Sequence, residues 1–309
     1  MPTQTQSPPK TSSDQWSSWL LHRRHGGDAD YRQRMRKVVE AYRDRVLDGA
    51  RLAPAQTMLD IGTGDGLLAF GAIDRVGPSL NAILTDISQP LLDHTEQLAL
   101  ERGVRSQCSF LQGSADKLDG IADASIDAVA TRAVLAYVQD KPRAFAEFFR
   151  VLKPGGRLSF CEPILQDEAY EAKAYSELVR TQPNHPNIEF LKLVQRYRAA
   201  AFPAAQADIL ASPITNFNER DLFRLAREAR FSGIHLELHI DLQPALKITW
   251  EGMLEVAVHP WAPTLREILA RDFSQAEAAE FERIFRPIVE KSQAEQKQLV
   301  AYLTADKKV

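Results

Sequence analysis

The 309-residue chain predicts an α/β fold, a mostly parallel sheet with helices on both faces. Two observations carry this. Short apolar runs alternate with helix-length segments from residue 57 to 162, and each run stops at a turn residue. The same rhythm resumes after residue 218, behind an irregular helical stretch.

The elements follow in order. Residues 1–15, rich in Pro, Ser, Thr and Gln, read as a disordered tail. An N-terminal helical segment spans 16–52: Met35, Val38, Val39, Tyr42 and Val46 recur at helical spacing, and Pro54 punctuates the end. Thr57–Ile61 is the first strand, Leu67–Val76 a helix, and Asn81–Asp86 the second strand. Ser88 is placed to cap a helix with Pro90 in its first turn and Gly103 past its end. Ser109–Gln112 and Ile126–Thr131 are the third and fourth strands. Asp140 is placed to cap a helix with Phe145, Phe148, Phe149 and Leu152 inward, Pro154-Gly155-Gly156 ends it, and Arg157–Glu162 is the fifth strand. These elements make up a core over 53–164.

Residues 165–217 read as a helical lid insertion broken by prolines. From 218 to 309 the core is completed. Asn218 caps a helix, and Ile234, Leu236, Leu238 and Ile240 alternate with polar residues as strand six. A helical insertion covers about 243–295, with Thr264/Glu267 and Ser274/Glu277 as capping boxes, and Leu299–Ala305 is the last strand.

Composition excludes several classes. A net charge of -3 leaves no basic stripe for nucleic acid. No run of about 18 apolar residues is present to cross a membrane. Cys108 and Cys161 are isolated, which argues against a disulfide framework and fits a cytoplasmic location. His235, Glu237 and His239 share one strand face, but the polar side of an alternating strand is the simpler account, and no metal is expected.

The chemistry concentrates in Asp60-Ile61-Gly62-Thr63-Gly64-Asp65-Gly66, directly after the first strand and before a helix. Glycines there let the backbone turn and approach a ligand, and the following helix start offers free N–H groups. Asp86 ends strand two, where an acceptor-only carboxylate suits the hydroxyls of a ribose. Asp116 follows strand three in Gly113-Ser114-Ala115-Asp116, and Thr131-Arg132 closes strand four. The dinucleotide fingerprint wants a third glycine where Leu67 stands, and no phosphate-loop Gly-Lys-Ser/Thr follows, so NAD and nucleotide triphosphates are disfavoured.

D-x-G-x-G-x-G after strand one, acids at strands two and three, and L-K-P-G-G before strand five resemble the class I S-adenosylmethionine (SAM)-dependent methyltransferases. The resemblance covers roughly residues 35–162 and implies a Rossmann-like, seven-stranded sheet whose last strand is antiparallel. It implies SAM as cofactor. Gly62, Gly64 and Gly66, with Thr63 between them, would lie under its amino-acid part. Asp60 would orient the loop and the SAM amino group. Asp86 and the adjoining Ile87 would serve the ribose, and Ser114, Ala115 and Asp116 would surround the adenine. Thr131 and Arg132 would face the same crevice, and Arg24 and Tyr31 would close over the cofactor.

The expected activity is methyl transfer to an O, N or C atom of a small-molecule acceptor in metabolism or natural-product synthesis. A catalytically silent SAM-binding regulatory or assembly protein and a SAM-assisted non-methylating enzyme are the alternatives. Glu162, His185 and His259 are the candidate bases, each weighed against a structural role. Phe190, Tyr197, Phe202, Phe217, Trp250 and Trp261 are expected to divide between an acceptor pocket and lid packing. Arsenic chemistry is disfavoured by the two cysteines. Oligomeric state is open, with a homodimer as one option.

Overall fold

The computed structural model describes residues 13–308. A four-residue helix, α1 (Gln15–Ser18), runs into a π-helical turn over Trp19–Arg23 and then into α2 (Ala29–Ala50). There follow β1 (Thr57–Ile61), α3 (Leu67–Val76), β2 (Asn81–Asp86), α4 (Gln89–Glu101), β3 (Cys108–Gln112), β4 (Ile126–Arg132), α5 (Lys141–Val151) and β5 (Leu152–Pro163). Three helices, α6 (Gln166–Thr181), α7 (Ile188–Ala201) and α8 (Gln206–Ala211), precede α9 (Glu219–Glu228) and β6 (Ser232–Pro244). The chain closes with α10 (Trp250–Leu254), α11 (Leu265–Asp272), α12 (Gln275–Glu290) and β7 (Glu295–Asp306).

The seven strands form one sheet in the order β3-β2-β1-β4-β5-β7-β6. Only β7 is antiparallel to its neighbours. The order reverses between β1 and β4, which leaves a crevice above the carboxyl ends of these two strands, where open α/β sheets bind ligands.

Local chemistry explains the helix starts. Ser88, Asp140 and Asn218 each accept a backbone N–H from the turn they open. Thr264 and Ser274 make reciprocal capping boxes with Glu267 and Glu277. One sheet face carries Val129, Phe145, Phe148, Leu158, Phe160 and Leu303 in a continuous core. The other buries Val46, Leu47, Met58, Leu68 and Leu84 beneath α2, α3 and α4.

The structure differs from expectation at three places. The tail reading of residues 1–12 lies outside the described residues, and α1 already starts at Gln15, capped by Asp14. Strand five begins at Leu152 rather than Arg157. Leu152 pairs with Ile126, and the Gly155 N–H donates to the Lys307 carbonyl, so the Pro-Gly-Gly stretch is an irregular strand entry. Strands six and seven run on together to Pro244 and Glu295. In that outer ribbon the alternating Ile240 and Leu242 are exposed, so it is held by the pairing of the two strands and not by a buried face.

The two helical insertions share a core of their own. Leu193 of α7 packs with Trp250, Leu265, Ile268, Phe273 and Phe281. This body grips the N-terminal segment: Trp19 Nε1 donates to the Ala257 carbonyl at 2.8 Å, and Asp28 Oδ2 accepts from the Thr249 N–H and hydroxyl, both at 3.0 Å. The N-terminal residues are thereby held across the crevice.

Candidate active site

The crevice opens into a cavity of about 990 Å³. This lies at the upper end of the ~300–1,000 Å³ typical of small-molecule sites. Its floor is the glycine turn, one wall is Asp86 and Ile87, another is Arg132 to Tyr137, and Trp16, Trp19 and Arg24 form the roof.

The turn after β1 is built from left-handed backbone. Gly62, Gly64 and Gly66 have φ of 65°, 57° and 77°. A Cβ on Gly62 would sit 2.4 Å from Val134 Cγ2, so this position is closed to any side chain on steric grounds as well as by its φ. Gly66 is the residue before α3 and does not itself line the cavity.

Asp60 is fully buried. Its Oδ2 accepts from the Thr63 hydroxyl at 2.8 Å and the Ala69 N–H at 3.1 Å. Its Oδ1 is buried with no partner. Burial pushes the carboxyl up to about 7 against those two hydrogen bonds, and Asp86 and Asp65 add to the rise. Asp86 Oδ2 accepts from the Gly64 N–H and its Oδ1 from the Ser88 N–H, both at 2.9 Å. Burial raises this carboxyl too.

Ser114 and Ala115 line the cavity beside Gly113. Asp116 does not; its carboxylate accepts from the Ser114 hydroxyl at 2.5 Å. Thr131 is buried under the crevice with its hydroxyl unpartnered. Arg24 and Arg132 both line the cavity. Burial, then the charge of Arg132, pulls Arg24 down to about 10. Tyr31 does not line the cavity; its ring lies edge-on to His25, which does, at 6.1 Å.

The three candidate bases are not brought to the cavity. Glu162 is fully buried and accepts the backbone N–H groups of Val134 (2.8 Å), Leu135 (2.9 Å) and Ala136 (3.3 Å). Its carboxyl, raised to about 7 by burial, clamps the turn that presents Val134 and Tyr137. His185 lies in the turn between α6 and α7, where Nδ1 accepts the Asn187 N–H. His259 has both nitrogens committed: Nδ1 accepts from the Trp261 N–H, so Nε2 carries the proton it donates to the Ala201 carbonyl.

His25 stands at the cavity in their place, with Nδ1 buried and unpartnered. Burial, then the charges of Arg24, Arg32 and Arg132, pulls it down to about 4, so the ring is neutral near pH 7. Nothing in the run His22-Arg23-Arg24-His25 singles out this residue, because its position depends on the grip of the distant α10–α11 region. Trp16, Trp19 and Tyr137 are likewise residues that sequence patterning leaves unmarked. Of the six aromatics expected to divide between an acceptor pocket and lid packing, none lines the cavity; Trp261 abuts two that do, 5.6 Å from Tyr137 and 6.0 Å from Trp16. Phe190, Tyr197 and Trp250 pack the lid, Phe202 abuts His259, and Phe217 lies under the Lys141 ammonium.

The arrangement suits a ligand with a hydroxylated sugar at Asp86 and a cationic group at Asp60 Oδ1, the orphaned acceptor. Those features fit the cofactor that the sequence pattern implies. Among the described residues no helix is long and apolar enough to cross a membrane, and no cluster of three or more His, Cys, Asp or Glu is placed to hold a metal.

Comparison with known proteins agrees with this geometry. The curated ubiquinone/menaquinone biosynthesis C-methyltransferase UbiE of Vibrio campbellii is 35% identical over 131 residues, 41% of this chain and 49% of that protein. The nocamycin O-methyltransferase of Saccharothrix syringae is 32% identical over 120 residues, 39% of this chain and 42% of that protein. The chain thus spans about half the length of the curated relatives it matches. Among solved structures, the YcgJ protein of Bacillus subtilis superposes with a TM-score of 0.55 over 87% of this chain and 99% of that one, at 16% identity, a likeness of fold. A family model described as a methyltransferase domain matches residues 52–211, just over half of the chain, and the protein belongs to that methyltransferase family.

Proposed function

We propose that the protein is an enzyme that binds SAM in this cavity and transfers its methyl group to a small organic acceptor. The observation that carries the reading is the buried, unpartnered Asp60 Oδ1 beside a glycine turn that is itself tied to Asp86. A buried acceptor without a donor is costly, on the order of 1–3 kcal/mol, and a ligand ammonium removes that cost.

Bound SAM would supply a methyl group on a cationic sulfonium, open to displacement by a nucleophile. The chain's own residues do the rest. Gly62 to Gly64 give the backbone approach, Asp60 takes the amino group, Asp86 the ribose hydroxyls, and Ser114 and Ala115 flank the base. Trp16 and Trp19 roof the site and exclude water. Tyr137, held by the turn that Glu162 clamps, shapes the acceptor side, and the neutral His25 Nδ1 is the open acceptor for a proton that leaves the nucleophile. Positioning of acceptor against methyl supplies most of the rate in such a displacement.

The lid formed by α6–α8 and α10–α12, with no basic stripe in the sequence, favours a metabolite over a macromolecule. The buried, unpaired Cys108 and Cys161 fit a reducing, cytoplasmic setting. Calorimetric titration with SAM, S-adenosylhomocysteine and NAD tests the cofactor. Binding of both adenosyl ligands and not NAD is expected, and a folded protein that binds neither overturns the reading. Methyl transfer from labelled SAM to a metabolite panel then tests turnover.

A further inference from the structure

Among the described residues three cavity-lining arginines, Arg24, Arg32 and Arg132, have no ion pair; Arg32 is exposed to solvent, which leaves Arg24 and Arg132 as the two half-buried cations. Arg132, at the carboxyl end of β4, makes no hydrogen bond or ion pair with its guanidinium among the described residues, and its Nε is buried without a partner. Its one close contact of note is the Tyr42 ring, 5.5 Å away. Arg24 is also without an ion pair and lies 5.4 Å from the Trp19 ring. Three other cavity-lining arginines differ: Arg36 pairs with Glu40, Arg43 with Asp44, and Arg102, just past α4, with Asp74. Burying an unpaired guanidinium is unfavourable, and two within reach of each other more so, unless a ligand brings the countercharge.

SAM brings a single carboxylate. Arg24 follows Leu20, whose Cδ2 lies 3.0 Å from where a Cβ on Gly64 would sit, so it stands on the glycine-turn side of the cavity. Arg132 is left over. It enters from the β4 end, next to the turn that carries Tyr137, whose ring meets Trp16 edge-on at 5.3 Å. Both of these aromatics line the cavity. We propose that the acceptor is an aromatic carboxylic acid whose carboxylate is held by Arg132 and whose ring lies against Trp16 and Tyr137. A planar guanidinium grips a carboxylate through two parallel N–H donors, which fixes the orientation of the ring behind it. This rests on the methyltransferase reading above.

The test uses the full chain saturated with S-adenosylhomocysteine. The probes are benzoate, 4-hydroxybenzoate and 2-naphthoate, each against its primary amide, with inorganic phosphate as a non-aromatic anion, titrated by calorimetry. At least one acid is expected to bind ~10-fold or more tighter than its amide and than phosphate, as a charge-assisted bidentate pair allows. Arg132→Gln should cut that preference to within about 2-fold while S-adenosylhomocysteine affinity stays within about 3-fold; Arg132→Lys should keep part of the preference. Arg24→Gln should do the reverse and weaken the adenosyl ligand. Melting curves establish that each variant is folded.

No acid preferred over its amide overturns the proposal. So does an Arg132→Gln protein that loses S-adenosylhomocysteine as strongly as the acid, because the carboxylate served is then the cofactor's own. Phosphate binding as tightly as the best acid removes the aromatic part of the assignment. A folded wild type that binds no S-adenosylhomocysteine defeats the methyltransferase reading itself and is told apart by the first titration.

Discussion

The Gly64 N–H donates to Asp86 Oδ2 at 2.9 Å, so the turn after β1 is fastened to the end of β2. The same carboxylate caps the Ser88 N–H with its other oxygen. Asp86 therefore holds the shape of the cavity floor as well as lining the cavity. Asp86→Ala is expected to lower SAM affinity by about 10-fold or more and to cost roughly 1–3 kcal/mol of stability, since two backbone donors lose a charged acceptor. Calorimetry and denaturant unfolding measure the two effects. Unchanged affinity would remove Asp86 from the site.

Asp60 is expected to make SAM binding pH-dependent. Burial raises its folded-state carboxyl to about 7, so below that pH it is protonated and must lose its proton to meet an ammonium. SAM affinity should rise with pH, by up to about tenfold per unit, and level off above about 7. Unliganded stability runs the other way. The unfolded carboxyl titrates near 4, so between about 4 and 7 the folded state holds the extra proton, and this contribution is lost as pH rises through the window. Asp60→Asn should flatten both profiles.

Gly62→Ala forces a Cβ to 2.4 Å from Val134 Cγ2 at a φ of 65°. The variant should lose about 1–3 kcal/mol of stability and much of its SAM affinity. Shortening the neighbour, in Gly62→Ala with Val134→Ala, should recover only part of the loss, because the backbone strain remains. Full recovery would show that the clash alone mattered.

Glu162→Ala leaves three backbone donors behind β4 without their acceptor, two of them fully buried. A stability loss of roughly 3 kcal/mol or more is expected, with the effect on turnover appearing as a raised KM for the acceptor through displacement of Tyr137. A variant of normal stability with kcat alone reduced would instead mark Glu162 as a base.

The histidines separate cleanly. His185→Ala should leave stability and turnover unchanged. His259→Ala should destabilise by about 1–3 kcal/mol, because the Ala201 carbonyl and the Trp261 N–H lose their partners. His25→Ala should lower kcat with SAM affinity kept. Its acid limb belongs near 4 rather than 6.5, since burial and the neighbouring arginines disfavour the imidazolium.

The sequence by itself determined the sheet, the helix starts and the glycine-turn half of the cavity. Those signals are local: Asp60 to Gly66 must turn within seven residues, Asp86 must end an apolar strand, and Ser88, Asp140 and Asn218 each cap from their own position. Only the tertiary structure decided what the N-terminal segment brings to the other half. His25 and Trp16 reach the crevice because residues more than 200 positions away, Thr249 and Ala257, hold the N-terminal segment there. Glu162 and His259 look like bases in sequence, yet neighbours brought in by folding occupy them. A side chain's chemistry is written in the sequence, but whether its polar atoms are already satisfied is settled by packing between distant segments.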